Sequence, residues 1–238
     1  MRVAVLSDIH GNLRALEAVL ADLEREGGAD RIVAAGDLCL DGARGREVLD
    51  RLAAAGASAL RGNCDRYIAE GDDEGEEDEI AWQRAELGPE RVRFLGDLPF
   101  AIRIGVGADA LLVVHANPKN DDEHLRPDAD DATLERLTAE VPERTIAFGH
   151  LHVPFVRTWR DRTFVCVSSC GLPKDGDARA SYAIFTQRSG GWQIRPRRVD
   201  YDVEKAARDL EKSGMPGVDK RIRTLLRHRY RDLHGLVT

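Results

Sequence analysis

Aromatic residues and long apolar runs are both scarce in this sequence. Phe, Trp and Tyr make up 5% of its 238 residues, and no apolar run approaches the ~18 residues that a membrane-spanning helix requires. The N-terminus leads directly into a strand-like stretch and has no apolar segment of the kind found in signal peptides. We therefore expect a cytoplasmic protein with no membrane partner.

Paired cysteines and the common hydrolase nucleophile motifs are also missing. The cysteines form no C-x-x-C pair, which predicts free thiols rather than a zinc knuckle or a disulfide framework. They are Cys39, Cys64, Cys166 and Cys170. The sequence contains no G-x-S-x-G and no G-x-x-x-x-G-K-[ST]. This argues against serine hydrolases and P-loop nucleotidases.

Acidic residues are concentrated in one segment. The formal net charge is −7, but the run at 70–79 (EGDDEGEEDE) holds eight acidic residues and no basic residue, so the remainder is nearly neutral. Because like charges repel, we predict a solvated, mobile insertion at 70–79, with a partner-docking segment as the alternative. The length predicts one domain over 1–238, with a core at about 1–200 and a helical C-terminal extension at about 202–238.

The first part of the chain alternates between strand-like and helix-like patterns. Short apolar runs at 3–6, 31–35 and 57–60 predict strands, and apolar residues at helical spacing predict helices at 13–23 and 44–55. Asn12 is predicted to cap the first of these helices. The order β-α-β-α-β implies an α/β fold with parallel strands and right-handed crossovers.

Strand patterns dominate the rest of the chain. Further helices are predicted at 89–95, 131–139, 203–212 and 217–231. Strands are predicted at 101–104, 111–114, 145–148, 155–159, 163–168, 181–186 and 192–197. A parallel α/β half is therefore followed by a strand-rich half, which together predict a pair of sheets covered by helices.

Five loops carry the chemically capable side chains, and each loop follows a predicted strand. Because the carboxyl ends of strands in open α/β sheets line one crevice, we expect the loops to converge. They offer carboxylates, imidazoles and amide oxygens, a mixture that suits Zn, Mn or Fe(II) better than calcium. The loops are Asp8-Ile9-His10-Gly11-Asn12, Gly36-Asp37, Gly62-Asn63-Cys64-Asp65, Val114-His115-Ala116-Asn117 and Gly149-His150-Leu151-His152.

Taken in this order, the five blocks resemble the calcineurin-like metallophosphoesterase superfamily. The opening SDIHGN is most similar to its small bacterial branch, and the resemblance covers residues 3 to about 168. It implies a four-layer αββα sandwich, in which two packed mixed β-sheets are flanked by helices. It also implies a dinuclear metal site at the carboxyl ends of the strands.

The resemblance also implies a ligand set for two divalent metal ions, which could be Mn, Fe, Zn or Ni. Asp8, His10 and His152 would bind the first metal, and Asn63, His115 and His150 would bind the second. Asp37 would bridge the two metals. Asp37, Asn63 and His115 are thereby implied as catalytic. A hydroxide held between the metals would attack phosphorus in line, without a covalent intermediate.

The sequence departs from the family pattern where a general acid is often found. Many members have His after the Gly-Asn of the third block, but this chain has Cys64. Cys64 or Asp65 could donate a proton, or Cys64 could be a packing residue. If neither donates, the enzyme should favour substrates with good leaving groups. Asn12 and Asn117 are candidate substrate contacts, and a turn residue is the alternative for Asn117.

Three functions remain open from the sequence. The first is a phosphodiesterase or nucleotide-type phosphohydrolase. The second is a phosphatase acting on protein or small-molecule phosphomonoesters. Protein phosphatases of the family often have an acid three residues after the bridging Asp, whereas this chain has Leu40 there and Asp41 one residue later. The third is a non-catalytic metal-binding scaffold, as in a retromer subunit of this superfamily, against which the intact ligand set argues.

Basic residues cluster late in the chain and raise the question of a nucleic-acid partner. A contact with nucleic acid or nucleotide is one interpretation. The solvated face of an amphipathic helix is the other, and we favour it because Ile222, Leu225, Leu226 and Tyr230 give this helix an apolar stripe. The cluster comprises Arg195, Arg197, Arg198, Lys220, Arg221, Arg223, Arg227, Arg229 and Arg231. We therefore expect a phosphorylated small molecule or nucleotide as substrate; the oligomeric state is left open.

Overall fold

A computed structural model describes residues 1–71 and 77–227. Its strands are β1 (Arg2–Leu6), β2 (Arg31–Ala35), β3 (Ser58–Leu60), β4 (Ala101–Ile104), β5 (Leu111–Val114), β6 (Thr145–Phe148), β7 (Phe155–Trp159), β8 (Arg162–Cys166), β9 (Ala180–Arg188) and β10 (Gly191–Val199). Its α-helices are α1 (Leu13–Arg25), α2 (Gly45–Ala54), α3 (Asn63–Glu70), α4 (Glu77–Asp97), α5 (Asp131–Thr138), α6 (Val203–Glu211) and α7 (Val218–Arg227). A short 3₁₀ turn covers Gly107–Asp109.

The strands form two mixed five-stranded sheets. The first has the order β10-β9-β1-β2-β3, and the second has the order β4-β5-β6-β8-β7. In the first sheet β1, β2 and β3 are parallel, whereas β9 and β10 run antiparallel to their neighbours. In the second sheet β5, β6 and β8 are parallel, with antiparallel strands at both edges. The predicted strands are thus confirmed, and β9 and β10 are longer than predicted.

Alternation along each central strand places apolar residues on both faces of each sheet. In β1, Val3 and Val5 pack between the two sheets, whereas Ala4 and Leu6 pack against helices. In β5, Val113 likewise faces the first sheet. The second sheet packs its outer face against α5 and neighbouring loops. Since strand side chains alternate with period two, this pattern builds the four-layer αββα sandwich that the resemblance implied.

The region around the acidic run differs from the prediction. Helix α3 was not predicted, and α4 begins at Glu77, well before the helix expected at 89–95. Glu70 ends α3, and the acidic residues 77–79 form the first turn of α4, where negative charge complements the helix dipole. Both ends of the expected insertion are therefore helical, and its middle, 72–76, lies outside the described residues.

Helix α4 is kinked, which explains why only its second half was predicted. Gly88 has φ 74°, and Pro89 follows it. A proline lacks the N–H that would continue the hydrogen-bond ladder, so the two segments meet at a break. Sequence reasoning identified the segment after the proline and missed the segment before it, which contains the buried Ile80, Gln83 and Leu87.

The C-terminal extension contains the two helices that were predicted. Helix α6 agrees closely with the expected 203–212, and α7 is described to Arg227, with the rest of the expected 217–231 outside the described residues. Among the residues that the structure describes, no helix combines the length and apolarity needed to cross a membrane.

A buried polar network ties α1 to the edge of the first sheet. The Asp22 carboxylate on α1 accepts hydrogen bonds from the Tyr182 hydroxyl (2.8 Å) on β9 and from the Arg197 guanidinium (3.0 Å) on β10. Arg25 donates a further bond at 3.1 Å. Burial alone would favour the neutral acid, but Tyr182 and then Arg197 outweigh it and hold the Asp22 pKa below its ordinary value.

Replacing Asp22 should destabilise the fold. Asp22→Ala would leave the buried Tyr182 hydroxyl without an acceptor, so we expect the free energy of unfolding to fall by about 2 kcal/mol. Urea denaturation measures this change. The control is Asp50→Ala, because Asp50 is exposed and pairs only at the surface with Arg91; we expect a change within about 0.5 kcal/mol. If both variants lost the same amount of unfolding free energy, the buried network around Asp22 would contribute no more than a surface ion pair, and the prediction would be wrong.

The same network should make stability depend on pH. The folded Asp22 carboxyl binds its proton less readily than the unfolded one, whose pKa is near 3.8. The extra stability is therefore complete above that pKa and is lost as the pH falls through the lower folded pKa. We expect the difference in unfolding free energy between wild type and Asp22→Asn to narrow from about pH 7 to about pH 3. A constant difference across that range would refute the linkage.

Candidate metal centre

The loops that follow β1 and β2 run side by side. The N–H groups of Asp8, His10 and Gly11 donate hydrogen bonds to the carbonyls of Gly36 (3.0 Å), Asp37 (3.0 Å) and Leu38 (2.9 Å), respectively. This pairing extends the parallel register of the strands into the loops. It places the carboxylates of Asp8 and Asp37 next to each other at the carboxyl edge of the first sheet.

The loop after β6 joins them from the second sheet. The Gly149 N–H donates to the His115 carbonyl (2.8 Å), which fixes this loop beside the loop that follows β5. The His150 N–H donates to Asp8 Oδ2 at 2.9 Å, linking the two sheets. All the predicted metal-binding side chains are therefore brought to one edge of the sandwich.

A first cluster consists of Asp8, His10 and His152, whose donor atoms lie within 4.8 Å of one another. Nε2 of His10 and Nε2 of His152 are 3.3 Å apart, and Asp8 Oδ1 is 3.1 Å from His152 Nε2. The Nδ1 atoms of the two histidines face the carbonyls of Leu40 (2.9 Å) and Leu172 (2.5 Å). Because a carbonyl only accepts, each Nδ1 carries the proton and each Nε2 presents a lone pair.

A cation fits the first cluster. Two imidazole lone pairs and a carboxylate oxygen converge there, and all three side chains are buried. In the described part of the chain, Asp8 Oδ1 is a buried oxygen that accepts no hydrogen bond. Burying such a charge unpaired is costly, and a metal ion between these atoms would satisfy the three donors together.

A second cluster consists of Asn63, His115 and His150. His115 Nε2 is 2.9 Å from Asn63 Oδ1 and 3.2 Å from His150 Nδ1. The outer nitrogens face backbone carbonyls: His115 Nδ1 faces that of Ala35 (2.9 Å), and His150 Nε2 faces that of Asp122 (2.8 Å). The inner nitrogens of the two rings therefore point at each other. This set of imidazole nitrogens and an amide oxygen is also suited to a divalent cation.

Asp37 lies between the two clusters. Its Oδ1 is 3.4 Å from His115 Nε2 in the second cluster, and its Oδ2 is 3.8 Å from His10 Nε2 in the first. Each carboxylate oxygen thus faces a different cluster. One shared carboxylate in this position can hold two cations about 3.5–4 Å apart, the spacing of two-metal sites.

The sequence profile of the calcineurin-like phosphoesterase superfamily domain matches residues 1–190. The chain belongs to this superfamily. It is accordingly a phosphoric ester hydrolase of the metallophosphoesterase type. The match ends at residue 190, in the turn between β9 and β10, so α6 and α7 lie beyond the matched region.

Individual relatives agree with this membership. The uncharacterized protein MJ0912 of Methanocaldococcus jannaschii is 30% identical in an alignment 241 positions long, which spans 90% of this chain and 93% of that protein. A metallophosphoesterase from Sphaerobacter thermophilus superposes with a TM-score of 0.79 at 26% identity, covering 96% of this chain and all of that chain. The hypothetical protein PH1004 of Pyrococcus horikoshii gives a TM-score of 0.82 at 22% identity, covering 95% and 98% of the two chains, and supports the fold.

Burial and neighbouring charges shift the pKa values in the metallophosphoesterase site in both directions, and burial lowers the pKa of His150 and lowers that of His152 to about 4. Burial opposes ionisation of Asp8 and Asp37, yet His152 beside Asp8 and His115 beside Asp37 hold both carboxyl pKa values well below the usual range. Burial disfavours the charged form of His115, but Asp37 outweighs it and raises its pKa to about 10. A raised pKa favours the doubly protonated imidazolium of His115, and a cation held in the second cluster would have to displace the proton on Nε2.

Backbone strain is concentrated in these loops. Asp8, His10, Asp37, His150 and His152 all have φ between 48° and 60°, in the left-handed region that few residues other than glycine adopt. Such conformations cost free energy and persist only where surrounding contacts impose them. The close pairing of the strand-end loops supplies those contacts.

Cys64 and Asp65, the candidate proton donors, are both engaged inside the protein. The Asp65 carboxylate accepts hydrogen bonds from the N–H groups of Asp37 (2.8 Å), Leu38 (3.0 Å) and Gly62 (2.9 Å), so it holds the Asp37 loop in place. Burial and then the charge of Asp37 raise its pKa to about 7. Burial and the same charge raise the pKa of the Cys64 thiol well above its ordinary value.

Asn12 and Asn117, the candidate substrate contacts, also use their side chains internally. Asn12 Oδ1 accepts from the Ala15 N–H (3.1 Å), as the predicted cap of α1, and its Nδ2 donates to the Gly171 carbonyl (2.8 Å). Asn117 accepts from the N–H groups at 119 and 120 and donates to the Glu123 carbonyl (2.7 Å). These contacts favour structural roles for both asparagines, with Asn117 shaping the loop at 117–124.

The loop at 117–124 supports His150 and was missed by sequence reasoning. Its Asp122 accepts from His150 Nε2 through the backbone and from Tyr67 (2.7 Å) and Arg66 (2.6 Å) through the carboxylate. The His124 ring packs against His150 with ring centroids 4.2 Å apart and ring planes tilted by 60°. His124 follows no predicted strand directly, so the pattern that revealed the other histidines did not include it.

A small-residue position beside Asp8 offers a test of the metal centre. A Cβ at Gly149 would overlap Asp8 Oδ2 and the Ser7 hydroxyl. We expect Mn²⁺ at 100 times its Kd to stabilise the wild-type protein by about 2.7 kcal/mol, because a ligand that binds only the folded state shifts the unfolding equilibrium. Gly149→Ala should lose most of this gain, measured by thermal unfolding with and without Mn²⁺.

The matched control for this substitution is Gly96→Ala. A Cβ at Gly96 meets only the Ala69 Cβ, at 3.2 Å, and Gly96 belongs to neither cluster. This variant should keep the full Mn²⁺ stabilisation. An equal Mn²⁺ response in wild type and Gly149→Ala would show that Asp8 takes no part in binding the cation.

Proposed function

We propose that this protein is a phosphodiesterase or nucleotide-type phosphohydrolase of the small bacterial branch, working with two divalent cations. The first cation would be held by Asp8, His10 and His152, and the second by Asn63, His115 and His150. Asp37 would bridge them. The observation that carries the proposal is the position of Asp37, with one carboxylate oxygen toward His10 (3.8 Å) and the other toward His115 (3.4 Å).

The residues of the chain would bind and orient the reacting groups. Bound divalent cations supply Lewis acidity, which lowers the pKa of water to about 7 and polarises a phosphoryl group. The buried carboxylates balance the positive charge, and the carbonyls that accept from the outer ring nitrogens fix the orientation of each imidazole. Asp65 would keep the Asp37 loop in register through its three backbone hydrogen bonds.

The surroundings of Cys64 and Asp65 support a substrate with a good leaving group. The Cys64 thiol is buried and its pKa is raised, and both Asp65 oxygens accept backbone hydrogen bonds. The Cys64 thiol therefore holds its proton tightly. Although burial raises the Asp65 pKa to about 7, both Asp65 oxygens are held by backbone N–H groups, so neither side chain is a ready source of a proton for a departing alkoxide. The leaving groups of activated diesters, aryl esters and nucleotide anhydrides depart without a proton donor. We therefore favour these substrates over unactivated phosphomonoesters.

The proposal predicts which substrate is turned over. With Mn²⁺, bis-p-nitrophenyl phosphate should be hydrolysed with a higher kcat/KM than p-nitrophenyl phosphate. Asp37→Asn and His150→Ala should each lower kcat by at least about 100-fold, because one preorganised charge at a reacting centre contributes about that much. Release of p-nitrophenol, followed by absorbance, measures both effects.

The control carboxylate is Asp161, which is exposed and outside the site. Asp161→Asn should retain wild-type turnover. A preference for the monoester would favour the phosphomonoesterase alternative. Full activity in Asp37→Asn would refute the bridging role, and a metal-loaded protein with no turnover of either ester would favour the scaffold.

A further inference from the structure

The C-terminal extension packs against Leu172, a residue that contacts the first cluster. Helices α6 and α7 bury Ala206, Leu210 and Leu225 against Leu172, in an apolar cluster separate from the two sheets. The Leu172 carbonyl accepts from His152 Nδ1 at 2.5 Å. The extension therefore covers a residue whose backbone orients one member of the first cluster.

A second, polar connection leads from α7 to another member of that cluster. Arg221 Nη1 on α7 is 2.8 Å from Asp41 Oδ1, and Asp41 Oδ2 is 3.7 Å from His10 Nδ1. The side chains of Arg221, Asp41 and His10 are 10%, 15% and 4% exposed, so water screens these charges little. Arg221 is also 3.9 Å from Glu79 on α4.

Asp41 occupies a position that needs support. Its φ of 75° lies in the left-handed region, and its carboxylate is largely buried. Without a cation beside it, a buried carboxylate is costly and tends to move toward solvent. Arg221 supplies that cation, and so keeps the carboxylate next to the ring nitrogen of His10 that points away from Asp8 and His152.

A carboxylate beside the outer nitrogen of an imidazole affects the inner nitrogen. It fixes the tautomer and the ring orientation, and it makes the inner nitrogen a stronger donor to a metal. In this protein the Leu40 carbonyl accepts the Nδ1 proton of His10 at 2.9 Å, and Asp41 adds negative potential at the same nitrogen. Arg221 would therefore act on the metal centre through Asp41.

We propose that α7 positions His10 through Arg221 and Asp41, so that the C-terminal extension sets the affinity of the first cluster for its divalent cation. This inference rests on the proposed function, since it requires a cation in that cluster. Arg221 and Asp41 are positioning residues, and neither needs to touch the substrate. The helices that provide the contact lie beyond the part of the chain matched by the superfamily profile.

Calorimetric titration of metal-free protein with Mn²⁺ tests the inference. Asp41→Asn should weaken binding of one of the two Mn²⁺ ions by about 10-fold or more and leave the other nearly unchanged, as expected for loss of an outer partner of a ligand. Arg221→Met should weaken the same ion, and Arg221→Lys should restore part of the affinity by returning the charge. The double variant Asp41→Asn/Arg221→Met should bind no more weakly than Asp41→Asn alone, because both changes interrupt one route.

Two controls separate this route from general stability. Glu79→Gln removes a further carboxylate near Arg221, and Asp209→Asn removes the ion pair (2.9 Å) between α6 and Arg14 on α1. Neither residue contacts the first cluster, so both variants should bind two Mn²⁺ ions with wild-type affinity. Circular dichroism of each metal-free variant verifies that it is folded, and the nearly isosteric Asp41→Asn decides the matter if Arg221→Met unfolds.

The possible failures are distinct. Wild-type affinity for both ions in Asp41→Asn and Arg221→Met would overturn the inference while leaving the proposed function intact. Additive losses in the double variant would overturn the route through Asp41. A wild-type protein that binds no Mn²⁺ would overturn the metal centre itself, and with it this inference.

Discussion

The attraction between two buried carboxylates and the imidazoles around them is the constraint on which this structure depends. Asp8 and Asp37 are almost inaccessible to water, and each keeps a pKa well below its usual range because imidazoles face it. The two carboxylates follow strands of the first sheet, and most of the imidazoles follow strands of the second. The negative charge of the carboxylates must therefore be balanced by positive charge held on groups that the second sheet supplies. Two cations would achieve that balance, and without them protons must do so.

The strain in the loops follows from this requirement. Parallel strands deliver their loops to one edge, but the side chains converge only if the backbone turns sharply at the end of each strand. Asp8, His10, Asp37, His150 and His152 make that turn in the left-handed region. Gly62 and Gly149 lie where any side chain would overlap the carboxylates, so the lack of a Cβ at these positions is part of the site. The strained backbone of these loops costs folding free energy, and that cost is the consequence of bringing the metal-binding side chains close together.

The outer contacts of the site divide it into two differently supported halves. The second cluster depends on the loop at 117–124, which is anchored by Arg66 and Tyr67 on α3. The first cluster depends on the loops at 40–42 and 171–172, which α6 and α7 cover. Several of the late basic residues considered for nucleic-acid contact form ion pairs in the described part of the chain, whereas Arg229 and Arg231 lie outside the described residues. Arg197 pairs with Asp22, Arg198 with Asp175, and Arg221 with Asp41. These three arginines are therefore part of the folded framework.

The sequence by itself determined the fold class and the composition of the candidate site. Apolar periodicity is a local property, so β1, α1, β2 and α2 could be predicted from short stretches of neighbouring residues. The candidate metal-binding residues could be found because each of their loops follows a predicted strand. Periodicity failed at α3 and at the start of α4, where a charged segment was interpreted as an insertion although its ends are helical. Only the tertiary structure decided that the Asn12 amide also donates to the Gly171 carbonyl, that the His124 ring packs against His150, and that Arg221 reaches Asp41. These outcomes depend on contacts between residues far apart in the chain, and no local pattern records which distant partner a polar side chain will meet.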